Sequence, residues 1–253
     1  MKDSLSNRKY ICGAASVALL IAVWEAASLM MGSEHILPGP WTTFVATLKL
    51  FTEGSFLHVV FATVLRGLAG FAVALAAGVL AGIAGGLNDT FNDFMRPWII
   101  VIRSTPVVAF VLLALIWFDS DTVPVFIGIL TMFPLVYLNI VEGIRSVDQG
   151  IVEMAVFYKV KGCRLLREVY LPSIGPFAVS GISSAVGIGW RAIVVGEVLS
   201  VPQYGIGTVM HSAQTFLQVD VLIAWTLVTV LFGALFERII RLVQTKISGR
   251  KRL

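Results

Sequence analysis

The sequence predicts an all-α polytopic membrane protein with six transmembrane helices. Three observations carry this. The chain of 253 residues is 57% apolar and 13% charged, against about 45–50% and 25% in an ordinary soluble domain. Apolar runs long enough to cross a bilayer recur along it. Charge is gathered into the intervals between those runs. A β-barrel is excluded, because alternating segments of about ten residues are absent.

The elements follow in order. Lys2, Arg8 and Lys9 precede the first apolar run, Ile11–Met31. That run exceeds the roughly 7–15 residues of a signal-peptide core and carries Glu25, so it reads as an uncleaved span. HILPGPWTTFVATLKLF, beginning at His35, has two prolines and a short amphipathic pattern. It suits an interfacial helix with Trp41 at headgroup level. The second span lies within Val59–Leu87, where Gly78, Gly82 and Gly86 recur on one side and prepare a close helix–helix contact. Asn88–Arg96 reads as a short polar turn. Trp98–Phe118 is the third span, interrupted by Arg103-Ser104-Thr105-Pro106, where proline frees a backbone carbonyl. Val123–Val141 is the fourth, with Pro134 inside, and Pro176–Leu199 the fifth, with small residues at Gly181, Ala185 and Gly189. The segment from Pro202 to Gln218 reads as a turn and a short re-entrant or surface helix. Val221–Phe236 is the core of the sixth span. The chain then divides into a tail, first span and interfacial helix (1–58), a five-span core that includes the polar loop at 145–172 (59–245) and a basic tail (246–253).

One polar interval in the second half, Arg145 to Pro172, stands out. Ser146 and Gln149 have capping-box spacing, so a helix is expected from about Val147. Val152, Ala155 and Val156 share one side of it. Gly162 permits a break, and a second helix, Arg164–Tyr170, is expected to stop before Pro172. The product is a bent helical finger carrying Lys159, Lys161, Arg164 and Arg167.

Six spans put both termini on one side of the membrane. With the finger cytoplasmic, fifteen of the nineteen Lys and Arg fall on that side and only Lys49 opposite. The positive-inside rule therefore predicts an N-in, C-in multi-pass protein of the cell membrane. The same distribution turns the net charge of +4 away from nucleic acid.

No catalytic constellation is present: no GxxxxGK[ST] loop, no GxSxG and no HExxH. Cys12 and Cys163 have no metal-ligand spacing, and His35, His58 and His211 are scattered, so no metal site or bound cofactor is expected. The chain is not expected to be an enzyme, and energy for active transport must come from elsewhere. The intramembrane ionisable residues are Glu25, Arg66, Arg103, Arg191 and Glu197, each costly in hydrocarbon. Arg103 (with Ser104 and Thr105), Arg191 and Glu197 are candidates for lining an anion path. The alternative is that Arg66 and Glu25 snorkel to the interface while Arg103 or Arg191 pairs with Glu197 and locks helices together.

The finger resembles the EAA loop of ABC-importer permeases. Glu153, Ala155, Leu171 and Pro172 match its Glu-Ala-Ala and Leu-Pro positions; Met154 replaces the first alanine, and Lys159 stands where the family has glycine. A left-handed lysine would be strained, leaving Gly162 to supply the bend. LPGPWTTFVATLKL, TVLRGLAGFAVALAAGVLAGIAGGL, PWIIVIRSTPVVAFVLLALIWF and WRAIVVGEVL also resemble permeases of the nitrate/sulfonate/taurine type, in order and over nearly the whole chain. Phe118-Asp119 departs from the usual Phe-Gly. The resemblance implies a type I importer. Its parts are two permease copies, a cytoplasmic ATPase dimer holding ATP and Mg²⁺, and an extracytoplasmic binding protein for a small anionic or vitamin-precursor-like solute. Glu153, Met154, Ala155, Lys159 and Gly162 would then couple to the ATPase. The glycine stripe offers a surface for self-packing. The rival class is an ion-gradient-driven secondary transporter or channel, which predicts inverted repeats around a midplane acid. Only Glu197 could serve there.

Overall fold

The computed structural model describes residues 2–160 and 162–249. Lys161 of the basic finger and Arg250, Lys251 and Arg252 of the tail lie outside the described residues. The described chain is all-α: α1 (Lys2–Met31), α2 (Pro40–Thr52), α3 (Phe56–Leu87), α4 (Asp89–Ser104), α5 (Val107–Trp117), α6 (Thr122–Arg145), α7 (Gln149–Phe157), α8 (Gly162–Leu165), α9 (Leu171–Ser200), α10 (Ile206–Thr215) and α11 (Val219–Gly249). Five segments are long and apolar enough to cross a membrane: Ile11–Met31, Phe56–Leu87, Thr122–Arg145, Leu166–Ser200 and Val219–Ile240. The bent pair α4–α5 makes a sixth if counted as one span.

By packing, the chain divides into two units. One comprises residues 1–57 and 209–229, the other 58–208 and 230–253. In the first, Trp24 donates its indole N–H to the Pro38 carbonyl and Ser28 its hydroxyl to that of Leu37, fastening the α1–α2 turn. The Phe56 ring stacks on Trp225 and meets Phe51 at a tilt.

The second unit is built on α6. Its most extensive partner is α9. Met132, Val136, Ile140 and Ile144 recur every four residues on α6 and are buried with Ala74, Ile174, Ala185 and Ile193. The glycine stripe of α3 meets this ridge. A Cβ on Gly78 would sit 2.7 Å from the Val136 Cβ, one on Gly82 2.7 Å from the Ile140 Cβ, and one on Gly86 2.6 Å from the Ile144 Cδ1. Two ridges at four-residue spacing interlock, and only glycine leaves room for the branched side chains opposite. The stripe is thus occupied by α6 of the same chain and is not a free surface for self-packing.

Three expected elements differ. The polar turn at Asn88–Arg96 is helical from Asp89, because the Asn88 side chain accepts the Phe91 N–H and caps α4. The third span is not a straight helix with a local interruption; α4 and α5 meet at 100°. Pro106 cannot donate to the Ile102 carbonyl, and the Ser104 and Thr105 hydroxyls add bonds to the Ile100 and Val101 carbonyls in the last turn of α4. The finger differs as well. Ser146 donates back to Gly143 and forms no capping box; Asp148 accepts the Gly150 N–H instead, so α7 starts at Gln149. The helix expected to stop before Pro172 runs on. After α8, Leu166–Tyr170 forms a π-helical turn, with the Leu171 N–H on the Leu166 carbonyl, and passes directly into α9. Pro172 follows just after that π-helical turn, where the backbone has already left the regular i→i−4 pattern.

Candidate functional site

Three assemblies in the second unit bring polar side chains together. Arg66 of α3, the carboxylate of Glu197 on α9 and the turns at residues 119–121 and 201–205 meet in the first. Glu197 is fully buried. Its Oε1 accepts from Arg66 Nη1 at 2.6 Å, and its Oε2 accepts from Thr63 Oγ1 at 2.9 Å and the Gly207 N–H at 3.0 Å. Thr63 Oγ1 in turn accepts the Ile206 N–H at 2.8 Å. The carboxylate thus occupies the start of α10, where free N–H groups and the helix dipole favour negative charge. Arg66 also donates to the Tyr204 carbonyl at 2.7 Å and, through Nη2, pairs with Asp121. Ser200 donates to the Ser120 carbonyl at 3.0 Å, tying the same two turns. Beside them Asp119 accepts the Thr122 N–H and hydroxyl at the start of α6. The Thr122 hydroxyl holds the Asp119 carboxyl below the ordinary value.

Arg66 therefore does not snorkel, and neither Arg103 nor Arg191 is the partner of Glu197. The reason is register. Thr63 and Arg66 lie one turn apart on the face of α3 that reaches Glu197, whereas Arg191 is exposed and donates to the Gly187 carbonyl of its own helix. Sequence reasoning missed Thr63, Asp121, Gly207 and Gly205, where a Cβ would lie 2.7 Å from the Glu197 Cδ. Arg66 inside an apolar run was the signal for such a hub, but nothing along the chain indicates its partner.

The second assembly is an open cleft of about 960 Å³ between α4 and α6. Asn92, Arg96, Arg103 and Ser104 line one wall; Tyr137, Glu142 and Arg145 line the other. The Tyr137 hydroxyl donates to Asn92 Oδ1 at 3.0 Å, and Arg145 pairs with Asp89 at 2.6 Å. Among the described residues, Arg96 and Arg103 have no carboxylate within ion-pair reach. Guanidinium forks of this kind suit a small oxyanion, which they bind bidentately. Arg103 and Ser104 are thus in the cleft, while Thr105, Arg191 and Glu197 do not line it. Arg96 and Arg145 had been counted for topology alone. Their signal was the spacing of Asp89, Asn92, Asp93, Arg96 and Arg103, which places polar groups on one face of α4.

The third is the finger between α6 and α9. Glu153, Met154, Lys159 and Gly162 are exposed, with Val156, Phe157 and Tyr158 beside them; Ala155 is buried against its own chain. At its tip Lys159 takes φ 54°. The Val160 N–H reaches the Ala155 carbonyl and the Lys159 N–H that of Val156, the paired bonds of a Schellman ending. That motif puts a left-handed residue where the family has glycine. Here lysine occupies it, and Gly162 does not take over the bend.

Residues 74–249, more than half of the chain, match the family of binding-protein-dependent transport system inner membrane components. A permease of Escherichia coli named for aliphatic sulfonates transport (SsuC) is 32% identical over 86% of this chain and 83% of its own length. Its Bacillus subtilis namesake is 28% identical over 91% and 84%. The taurine transport system permease TauC of Escherichia coli is 26% identical over 96% and 90%. With all-α architecture, apolar spans and near full-length similarity, the chain belongs to the binding-protein-dependent ABC importer permeases, as a multi-pass membrane subunit of the nitrate/sulfonate/taurine type.

Proposed function

We propose that this permease passes a small organic anion, of the sulfonate class named for its relatives, through a path that includes the α4–α6 cleft. Work reaches the path from a separate ATPase through the finger. The observation that carries the coupling is mechanical. The finger joins α6 to α9, the pair with the most extensive mutual packing, and displays an exposed apolar and aromatic tip on an otherwise polar loop. A push on α7 is transmitted to both helices as one body. ATP and Mg²⁺ are held by the partner; a binding protein delivers solute on the face opposite the finger. The excess of Lys and Arg on the finger's side supports this, since the positive-inside rule favours a cytosolic finger.

Arg96 and Arg103 would hold the anion without first breaking an ion pair, unlike Arg145, which is held by Asp89. Arg191 reaches such a path only if a second copy of the chain completes it, which fits a permease pair.

Two outcomes are expected. Glu153→Lys leaves the amount of protein in the membrane unchanged and lowers uptake by at least about tenfold, because a helix docked in a complementary groove meets an inverted charge. Uptake together with ATPase co-purification measures this, and normal uptake would remove the finger from the coupling. Arg103→Gln lowers uptake roughly tenfold, from the loss of about 1.5 kcal/mol of charge-assisted hydrogen bonding, with ATPase co-purification retained. Equal uptake in Arg103→Gln and the parent would take the cleft out of the path.

A further inference from the structure

The finger end of α6 and its opposite end each carry an exposed carboxylate on an arginine, but the two pairs are built differently. Arg145–Asp89 is a plain surface pair, its side chains 43% and 90% exposed. Arg66 is one guanidinium shared between a buried acid and an exposed one. Its own side chain is 11% exposed, that of Glu197 0% and that of Asp121 62%. Glu197 is immobilised by Thr63 and by the start of α10, so it cannot follow Arg66 if the guanidinium moves. Asp121 belongs to a turn and is bathed in solvent, so water can replace the guanidinium at little cost.

The turn that Arg66 grips through the Tyr204 carbonyl is itself strained. Val201 takes φ 47°, a left-handed conformation that a β-branched residue avoids unless its surroundings enforce it. The residue caps α9, with its N–H on the Glu197 carbonyl, and around it the chain is restrained by Ser200 on the Ser120 carbonyl and Arg66 on the Tyr204 carbonyl. Both restraints join the turn at 201–205 to the turn at 119–121 or to the helix beneath.

We infer that Arg66 is a two-armed latch on the face opposite the finger, with Glu197 its fixed arm and Asp121 its releasable arm, holding the strained 201–205 turn against the 119–121 turn. Releasing the Asp121 arm removes one of the ties between the two turns and leaves the Ser200–Ser120 bond as the other, so the turns part more often. The function is positional: the latch sets how often that end of the α3–α6–α9 assembly opens. The assignment of this face to the side where solute arrives rests on the proposed function; the latch itself does not.

The test reads the distance between the two turns. Spin labels are placed at Ser120→Cys and Gln203→Cys, in a background with Cys12→Ser and Cys163→Ser, in the permease reconstituted into nanodiscs with its co-purifying ATPase and diluted with unlabelled protein. The parent is expected to give one dominant short distance. Asp121→Asn keeps the size of the side chain and is expected to raise the long-distance population about threefold, the scale of an exposed ion pair. Asp89→Asn, the matched change at the other end of α6, is expected to leave the distribution unaltered. An unchanged distribution in Asp121→Asn, or an equal change in Asp89→Asn, overturns the latch. ATPase activity in the same samples reads the coupling separately. Turns that part in Asp121→Asn uphold the latch even if no ATPase accompanies the protein, and only the proposed function then fails.

Discussion

Glu197→Ala is expected to be among the most damaging single replacements in the second unit, and the double replacement Arg66→Met with Glu197→Met much less so. The buried carboxylate satisfies Arg66, Thr63 and the Gly207 N–H together. Removing it leaves a largely buried guanidinium and an uncapped helix start. Breaking one side of such a pair costs about 3–5 kcal/mol, while replacing both sides removes the stranded charge and leaves the unmet Gly207 N–H, at about 1–3 kcal/mol. Thermal midpoints of detergent-solubilised protein, followed by fluorescence-detected size exclusion, should fall steeply for the single variant and recover in the double. A double variant as unstable as the sum of its singles would show that the two side chains are not coupled.

Gly207→Ala carries the second large effect. A Cβ at Gly207 would lie 2.5 Å from the Val194 carbonyl oxygen and 2.6 Å from the Val198 nitrogen. These are backbone atoms within α9, and no rotamer change can clear them. The start of α10 would have to lift away, taking the Gly207 N–H from Glu197 with it. Overpacking costs about 1–3 kcal/mol and a lost hydrogen bond to a charged acceptor about 1.5–3 more. The useful comparison is Gly189→Ala. Its Cβ would press first on the Met132 side chain, 2.3 Å from the Cε and 2.5 Å from the Cγ, and a thioether, even a buried one, shifts more readily than helix backbone. Yield of monodisperse protein should therefore collapse for Gly207→Ala and hold for Gly189→Ala. Equal behaviour of the two would mean that the tight approach of α10 to α9 is not what glycine serves there.

The finger shows how a local sequence departure is absorbed. A Schellman ending needs a left-handed residue one position past the helix cap, and Lys159 fills that need despite its Cβ. The cost is on the order of 1–2 kcal/mol, comparable to the roughly 1–3 kcal/mol that the two backbone bonds of the motif contribute. Ala155 also changes role. Its side chain faces its own chain, so among the matched residues it shapes the finger, while Glu153 and Met154 are presented outward.

The sequence by itself determined class, the existence of most spans and the family. Those follow from apolar run length, charge segregation and residue order, which are properties of the chain and of the solvent it folds in. It also marked Gly78, Gly82 and Gly86 as a tight contact, because four-residue periodicity is intrinsic to a helix. What that contact faces was decided by the tertiary structure: the branched ridge of α6 fills it, leaving nothing for a second copy. The same holds for the charges. A run of apolar residues shows that Arg66 and Glu197 are expensive, but their pairing across 131 positions depends on which helix faces meet. The bend at Pro106 was visible as a lost donor, and its 100° angle was not, since hydroxyls and neighbouring helices settle how far a freed carbonyl may turn. Local chemistry names the groups that need partners; only packing in three dimensions says who the partners are.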